Sequence, residues 1–138
     1  MFDHCLYFNT TALARQLDRE WTVAFKPFGL SPPQAFLLRA VLDKPGLAQR
    51  ELASALVISR PTATRALDGL ERKGLIERRD SDEDGREHFV HPTHGAVAIH
   101  AEINEASGRV TRRLKKLLGE GVFIETVEKV RRVRSALN

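Results

Sequence analysis

Cysteine is nearly absent from this chain of 138 residues; Cys5 is the only one, so no internal disulfide can form. Aromatic residues are few, with one Trp and one Tyr. No uncharged run approaches the roughly 20 residues that a helix needs to cross a bilayer, and no charged-then-apolar leader opens the sequence. A cytoplasmic protein without a membrane partner is expected. Repeats and low-complexity tracts are also missing. No nucleophile–base pair, paired-carboxylate site or phosphate-cradling glycine loop can be assembled, so the chain does not read as an enzyme and no cofactor is expected.

What is present is a modest excess of positive charge. Lys and Arg number 22 against 18 Asp and Glu, a net charge of +4, and the isoelectric point is near 9.6. Such a balance permits a polyanionic partner without requiring one. The length suits one domain able to bury its own core.

Hydrophobic spacing gives the order of elements. Leu13, Leu17, Trp21, Ala24 and Phe28 step by three and four, predicting an amphipathic helix over about 3–26, broken by Pro27 and Gly29. Ser31-Pro32-Pro33 offers an N-cap with prolines in the first turn of a second helix, which ends near Pro45-Gly46. A short third helix is expected from Leu47 to Ala55, with Leu52, Ala53 and Leu56 inward and Val57-Ile58 as a tight connection. Ser59-Arg60-Pro61-Thr62 opens a fourth helix that Gly74 closes. Leu75 to Arg79 and Glu87 to Val90 then read as two strands around a tip at Asp82 to Arg86. This order is a helix-turn-helix with a β-wing, which presents one helix to the DNA major groove. From Thr93 a heptad-like seam follows (Ala96, Ile99, Ile103, Ala106, Val110, Leu114, Leu117), then a last helix with Val122, Phe123, Ile124, Val127, Val130 and Leu137. The expected class is mainly α with a small β-wing. Residues 1–138 form one domain, with a winged helix-turn-helix over about 30–92. Apolar stripes on about 1–28 and 93–138 call for a second copy of the chain, a homodimer.

On the fourth helix Ala63, Ala66, Leu67 and Leu70 form the inward stripe, leaving Arg60, Thr62, Thr64, Arg65, Asp68 and Gly69 outside. Arg can fork onto guanine O6 and N7, Thr can meet a thymine methyl or a phosphate, and a helix N-terminus favours phosphate. Candidate DNA contacts are therefore Ser59, Arg60, Pro61, Thr62, Thr64, Arg65 and Arg78, with Arg86 at the wing tip suited to the minor groove. Residues 77–87 hold six acids against three arginines, an electrostatic cost near phosphate. Asp84 is expected to pair with an Arg and hold the tip, the other acids pointing to solvent. A winged-helix module that binds only protein is the alternative, but such a face should be apolar or acidic, and residues 59–65 show Ser, two Arg and two Thr.

Three sharper motifs carry less. Asp80-x-Asp82-x-Asp84-Gly85 imitates a calcium loop, yet His91 stands where the bidentate Glu is required. His88, His91 and His94 alternate faces on a strand and have no Cys nearby in sequence, so no metal is expected. Cys5 lies among Phe2, Leu6, Tyr7 and Phe8, a setting for a buried structural thiol, with redox sensing as the other reading. Arg109 to Lys116, with five cations and no acid, reads as a solvated helix face.

Leu52-Ala53, the run from Ser59 through Lys73-Gly74-Leu75-Ile76 to Arg78, Asp84-Gly85-Arg86, Thr93-His94-Gly95 and Gly29 to Gln34 together resemble the MarR family of winged helix-turn-helix transcription regulators. The resemblance covers nearly the whole chain; Pro92 departs from it, at a position the family usually fills with Leu. It implies a dimer with interleaved terminal helices on a pseudo-palindromic operator, repressing until a small-molecule effector or oxidant arrives. Arg65 and its neighbours would enter the major groove and Arg86 the minor groove. An effector pocket near Trp21 and His4, between the terminal helices and the winged region, is also implied.

Overall fold

Proline, glycine and short hydroxyl side chains punctuate the chain in the computed structural model, which describes residues 1–80 and 87–138. The elements are α1 (Leu6–Phe25), one 3-10 turn (Lys26–Phe28), α2 (Pro32–Asp43), β1 (Leu47–Ala48), α3 (Gln49–Ala55), α4 (Arg60–Arg72), β2 (Ile76–Asp80), β3 (His88–Pro92), α5 (His94–Leu118) and α6 (Glu120–Ala136). The fold is thus mainly helical with a small antiparallel sheet.

Helix starts follow their caps. Ser31 Oγ accepts the Gln34 N–H at 3.4 Å while Gln34 Oε1 accepts the Ser31 N–H at 3.1 Å, a reciprocal box that opens α2. Ser59 Oγ accepts the Thr62 N–H at 3.3 Å to open α4. At the far end of α4, Gly74 takes a left-handed φ of 71°, and the Leu75 N–H closes back on the Leu70 carbonyl at 3.0 Å. Gly69, expected on the outer face, is buried instead: the Gln34 amide of α2 sits where a Cβ would stand, so a side chain there would have to displace it.

Leu47 and Ala48 are strand rather than the start of the third helix. They pair antiparallel with Val90 and Phe89, and the Gly46 N–H bonds the Val90 carbonyl at 2.8 Å, which gives this segment's backbone partners in the sheet. The sheet has three strands in the order β1-β3-β2. Pro92 stands opposite Ile76, and the next bond, Thr93 N–H to the Leu75 carbonyl at 3.1 Å, is made. By the alternation of an antiparallel ladder the Pro92 nitrogen faces away from β2, beyond the short β1, so the missing N–H costs no ladder bond. Thr93 Oγ1 also donates to the Gly74 carbonyl at 2.7 Å while capping α5, which ties the end of α4 to the start of α5.

The core collects Phe25, Leu37, Leu38, Leu52, Leu67, Leu70, Ile76, Val90 and Ile103, all fully buried. Only the first part of the α5 seam packs within the chain: Ala96, Ile103, Ala106 and Val110 are buried, whereas Leu117 is 74% exposed. Of the 20 residues of α1 only Phe25 is buried, and α6 buries none. Val122, Ile124, Val127, Val130 and Leu137 stay exposed, and an apolar groove of about 740 Å³ runs between α1 and the α5–α6 turn, lined by Leu13, Leu17, Leu114, Leu117, Phe123 and Val127. No helix among the described residues is long and apolar enough to cross a membrane.

Val57, in the turn between α3 and α4, has a φ of 55° and is half exposed. A left-handed conformation costs a side-chain-bearing residue about 1–2 kcal/mol, more for a β-branched one. Val57→Gly is expected to raise stability by about 1 kcal/mol, a few degrees in melting temperature. A lower melting temperature by calorimetry would mean that Val57 contributes packing greater than that strain.

Candidate nucleic-acid interface

The inner stripe of α4 (Ala63, Ala66, Leu67, Leu70) is buried, which sets the opposite face outward. At its N-terminus the hydroxyls form a short chain: Ser59 Oγ donates to Thr62 Oγ1 at 2.8 Å, and the Arg65 guanidinium reaches the same Thr62 oxygen at 3.4 Å. Thr64 Oγ1 donates to the Arg60 carbonyl at 2.9 Å, which leaves its methyl as the free group. Arg60, Pro61 and Arg65 are exposed, Thr62 and Thr64 half-buried. Pro61 sits in the first turn, where a missing N–H is harmless. Among the described residues no carboxylate pairs with Arg60 or Arg65.

Of the neighbouring arginines, Arg50, Arg78 and Arg79 meet carboxylates, whereas Arg72 at the far end of α4 is exposed without one among the described residues. Arg78, expected among the DNA contacts, lies on the same side of β2 as the buried Ile76, because residues two apart on a strand share a face. Its guanidinium is spent inward, donating to Asp68 Oδ1 at 2.6 Å, to both Glu71 oxygens at 3.2 Å and to Gln49 Oε1 at 3.4 Å. The hydrogen bond from Glu71 raises the pKa of Arg78, and the same bond lowers that of Glu71. Arg78 is thus a clamp between β2 and α4.

Of the wing acids expected to point to solvent, Glu77 and Asp80 are exposed, and each also has a partner. Glu77 meets Arg79 at 3.4 Å, Asp80 meets His88 Nδ1 at 2.6 Å, and Glu87 meets Arg50 Nε at 2.6 Å, all at the surface. Arg50 was not singled out by the sequence; the Glu87 hydrogen bond raises its pKa. It shares a small cleft of about 240 Å³ with Gln49, Arg60, Thr64 and His88, directly beside the outer face of α4. Its position two residues after β1, at the start of α3, was hidden by reading β1 as helix. Asp84 and Arg86 lie outside the described residues. Among those described, no three His, Cys, Asp or Glu side chains converge as metal ligands.

Cys5 is exposed, not buried, because the first turns of α1 project beyond the body together with Phe2, Leu6, Tyr7 and Phe8. On α5, Arg112 pairs with Glu105 and Arg113 with Glu20, while Lys115 lies over the Phe123 ring at 5.5 Å, so the basic run is partly neutralised. A cavity of about 990 Å³ opens between the end of α4, the 3-10 turn and α5, lined by Phe28, Lys73, Leu75, Ile99, Glu102 and Arg109. Trp21 does not line it; its indole N–H turns inward to Ser107, and His4 is exposed at the terminus.

A three-stranded sheet carrying a helix-turn-helix, flanked by long terminal helices, defines a winged-helix protein. The profile of the MarR family matches residues 28–87. The HTH-type transcriptional regulator MgrA of Staphylococcus aureus is 29% identical over 137 residues, spanning 90% of this chain and 93% of that protein. Among solved structures, the transcriptional repressor CouR bound to a 23-mer DNA duplex has 26% identity and a TM-score of 0.87, covering 96% of this chain and 94% of CouR. CouR has also been solved with p-coumaroyl-CoA, at 25% identity, a TM-score of 0.86 and the same coverages. The S. aureus MepR–DNA complex, at 20% identity, shares the fold with a TM-score of 0.86 over 99% of this chain and 100% of that one. Residues 28–87 thus match the MarR family of winged helix-turn-helix transcription regulators, and over nearly its whole length the chain is similar to an HTH-type transcriptional regulator and to a DNA-bound repressor.

The Glu71 carboxylate bonded to Arg78 titrates below its ordinary value in the folded chain. Its contribution is therefore complete above the unfolded-state pKa and is lost as pH falls through the lowered folded one. Urea unfolding from about pH 7 down to about pH 3 is expected to show a steeper acid loss of stability for the parent chain than for Glu71→Gln. Identical slopes would remove Glu71 from the clamp.

Proposed function

We propose that the chain is a homodimeric, sequence-specific DNA-binding repressor, released from its operator by a small molecule. The observation that carries this reading is the availability of Arg60 and Arg65 at the start of α4. Arg50, Arg78 and Arg79 each meet a carboxylate, whereas these two stand without one among the described residues, next to the hydroxyls that open α4. A free guanidinium at the start of a recognition helix suits guanine O6 and N7 or a phosphate. A protein-interaction module has no use for two unpaired cations in a hydroxyl-rich setting.

In this reading Arg65 reads a base edge in the major groove, with Thr62 orienting its guanidinium. Ser59, Arg60 and Thr64 meet the backbone or a thymine methyl, Pro61 stiffens the first turn, and Arg86 enters the minor groove from the wing with Asp84 holding the tip. Arg78 contributes by fixing α4 against the sheet. The exposed apolar residues of α1 and α6, with the groove between them, are covered by a second copy in the cytoplasm. The two α4 helices then meet successive major grooves of a pseudo-palindromic operator, with half-sites about 34–36 Å apart. The effector enters the cavity between α5 and the end of α4, where Lys73 and Arg109 offer charge to an anionic group and Phe28 and Ile99 offer apolar walls. Cys5, exposed near the dimer helices, gives an oxidant a point of access in the second mode of release that the resemblance implies.

Selection of bound fragments from random duplex DNA, at two salt concentrations, tests the reading. An enriched inverted repeat with a steep salt slope supports it, and indifference to sequence overturns it. Arg65→Ala should weaken binding to the enriched duplex by about 1–3 kcal/mol in an anisotropy titration, and unchanged affinity would remove Arg65 from base contact. Leu117→Asp with Val127→Asp should leave the chain folded but monomeric by sedimentation, with operator binding lost; a persistent dimer would put the interface elsewhere.

A further inference from the structure

Ser107 is the only buried polar side chain among the described residues, 6% exposed in the middle of α5. Its hydroxyl oxygen accepts two hydrogen bonds from two other helices: the Trp21 indole N–H of α1 at 3.0 Å and a guanidinium N–H of Arg39 in α2 at 3.1 Å. Arg39 Nε also donates to Asn104 Oδ1, one turn earlier on α5, at 2.7 Å. The guanidinium stacks 5.0 Å from the centre of the Phe36 ring, which meets Phe25 of α1 edge-on at 5.9 Å. Three helices therefore converge on one hydroxyl, through a half-buried arginine that meets only neutral oxygens among the described residues.

The membership of this junction matters. The helices α1 and α5 run into the unpartnered apolar groove, while α2 is packed on α4 through Gln34 and Gly69. Beside the apolar core that the two regions share through Phe25, Leu37, Leu38, Ala96 and Ile103, a second polar tie is the Thr93–Gly74 bond at the opposite end of α5 from the groove. The two polar points on α5, at Thr93 and at Asn104–Ser107, add direction to the apolar packing between them and oppose a swing of the α2–α4 unit about either one. A neutral, directional junction is suited to holding that alignment, because hydrogen bonds fix orientation and no ion pair lets the guanidinium slide between equivalent oxygens.

We propose that Arg39, Ser107 and Trp21 are positioning residues that set the separation of the two recognition helices, and so the spacer length accepted between half-sites. This rests on the dimeric DNA-binding reading above. Ser107→Ala removes the shared acceptor and keeps helix propensity; Asn104→Ala, at an exposed site, cuts only the second Arg39 bond and serves where the first variant folds poorly. Each variant is titrated, as the full chain, against the selected inverted repeat and against duplexes with one base pair added to or removed from its spacer. Trp21, the sole tryptophan, reports by its emission whether the junction has loosened.

The parent chain is expected to bind the altered spacers about tenfold more weakly than the selected one. In the variants that preference should shrink to about two- to threefold, Ser107→Ala more than Asn104→Ala, with binding to an isolated half-site unchanged. A role confined to stability would lower the melting temperature and leave the spacer preference intact; that result in both variants overturns the proposal while leaving the DNA-binding reading standing. A parent chain that shows no spacer preference at all overturns the proposal and the dimeric reading together.

Discussion

The buried stripe of α4, on which the Gln34 side chain of α2 rests against Gly69, fixes which face of that helix looks outward. With the α4 stripe of Ala63, Ala66, Leu67 and Leu70 buried against the body, the helix cannot rotate without exposing apolar surface. Arg78 clamps the same helix from the sheet side through Asp68 and Glu71. Every property assigned to the outer face follows from this inner packing, because a recognition surface requires a helix that has only one way to sit.

The distribution of charge completes the picture. Among the described residues near α4, Arg50 bonds Glu87, Arg79 bonds Glu77 and the His88 imidazole meets Asp80. These exposed pairs add little stability individually. Their consequence is electrostatic: Arg50 and Arg79 are held by carboxylates, Arg60 and Arg65 at the start of α4 have none among the described residues, and the excess of acids in the wing lowers its general attraction to DNA. Weak non-specific attraction with a few free, oriented guanidinium groups favours sequence discrimination over indiscriminate adhesion to DNA.

Much of this was legible in the sequence. The caps at Ser31 and Ser59, the terminator at Gly74 and the inward stripe of α4 are local signals, and the structure places them as local rules require. What escaped was non-local or a matter of parity. Leu47-Ala48 has no strand signature of its own; it becomes a strand only because β3 lies beside it. Gly69 looked solvent-facing because the arrival of Gln34 depends on how α2 packs. Arg78 was assigned outward by its charge, although two-residue alternation from Ile76 already directed it inward. Cys5 was judged from apolar neighbours that are themselves exposed. The α5 seam, read as one continuous surface seeking a partner, divides: its first half is satisfied by α1 and α2 of the same chain, and only its end remains open.

The central claim is that two copies hold their α4 helices at the pitch of B-form DNA. Hydroxyl-radical footprinting on an end-labelled operator measures this directly. The account predicts two-fold symmetric protections on one face of the duplex, whose centres repeat at about 10–10.5 base pairs. One asymmetric window of a single half-site, or uniform protection without a centre of symmetry, would contradict it.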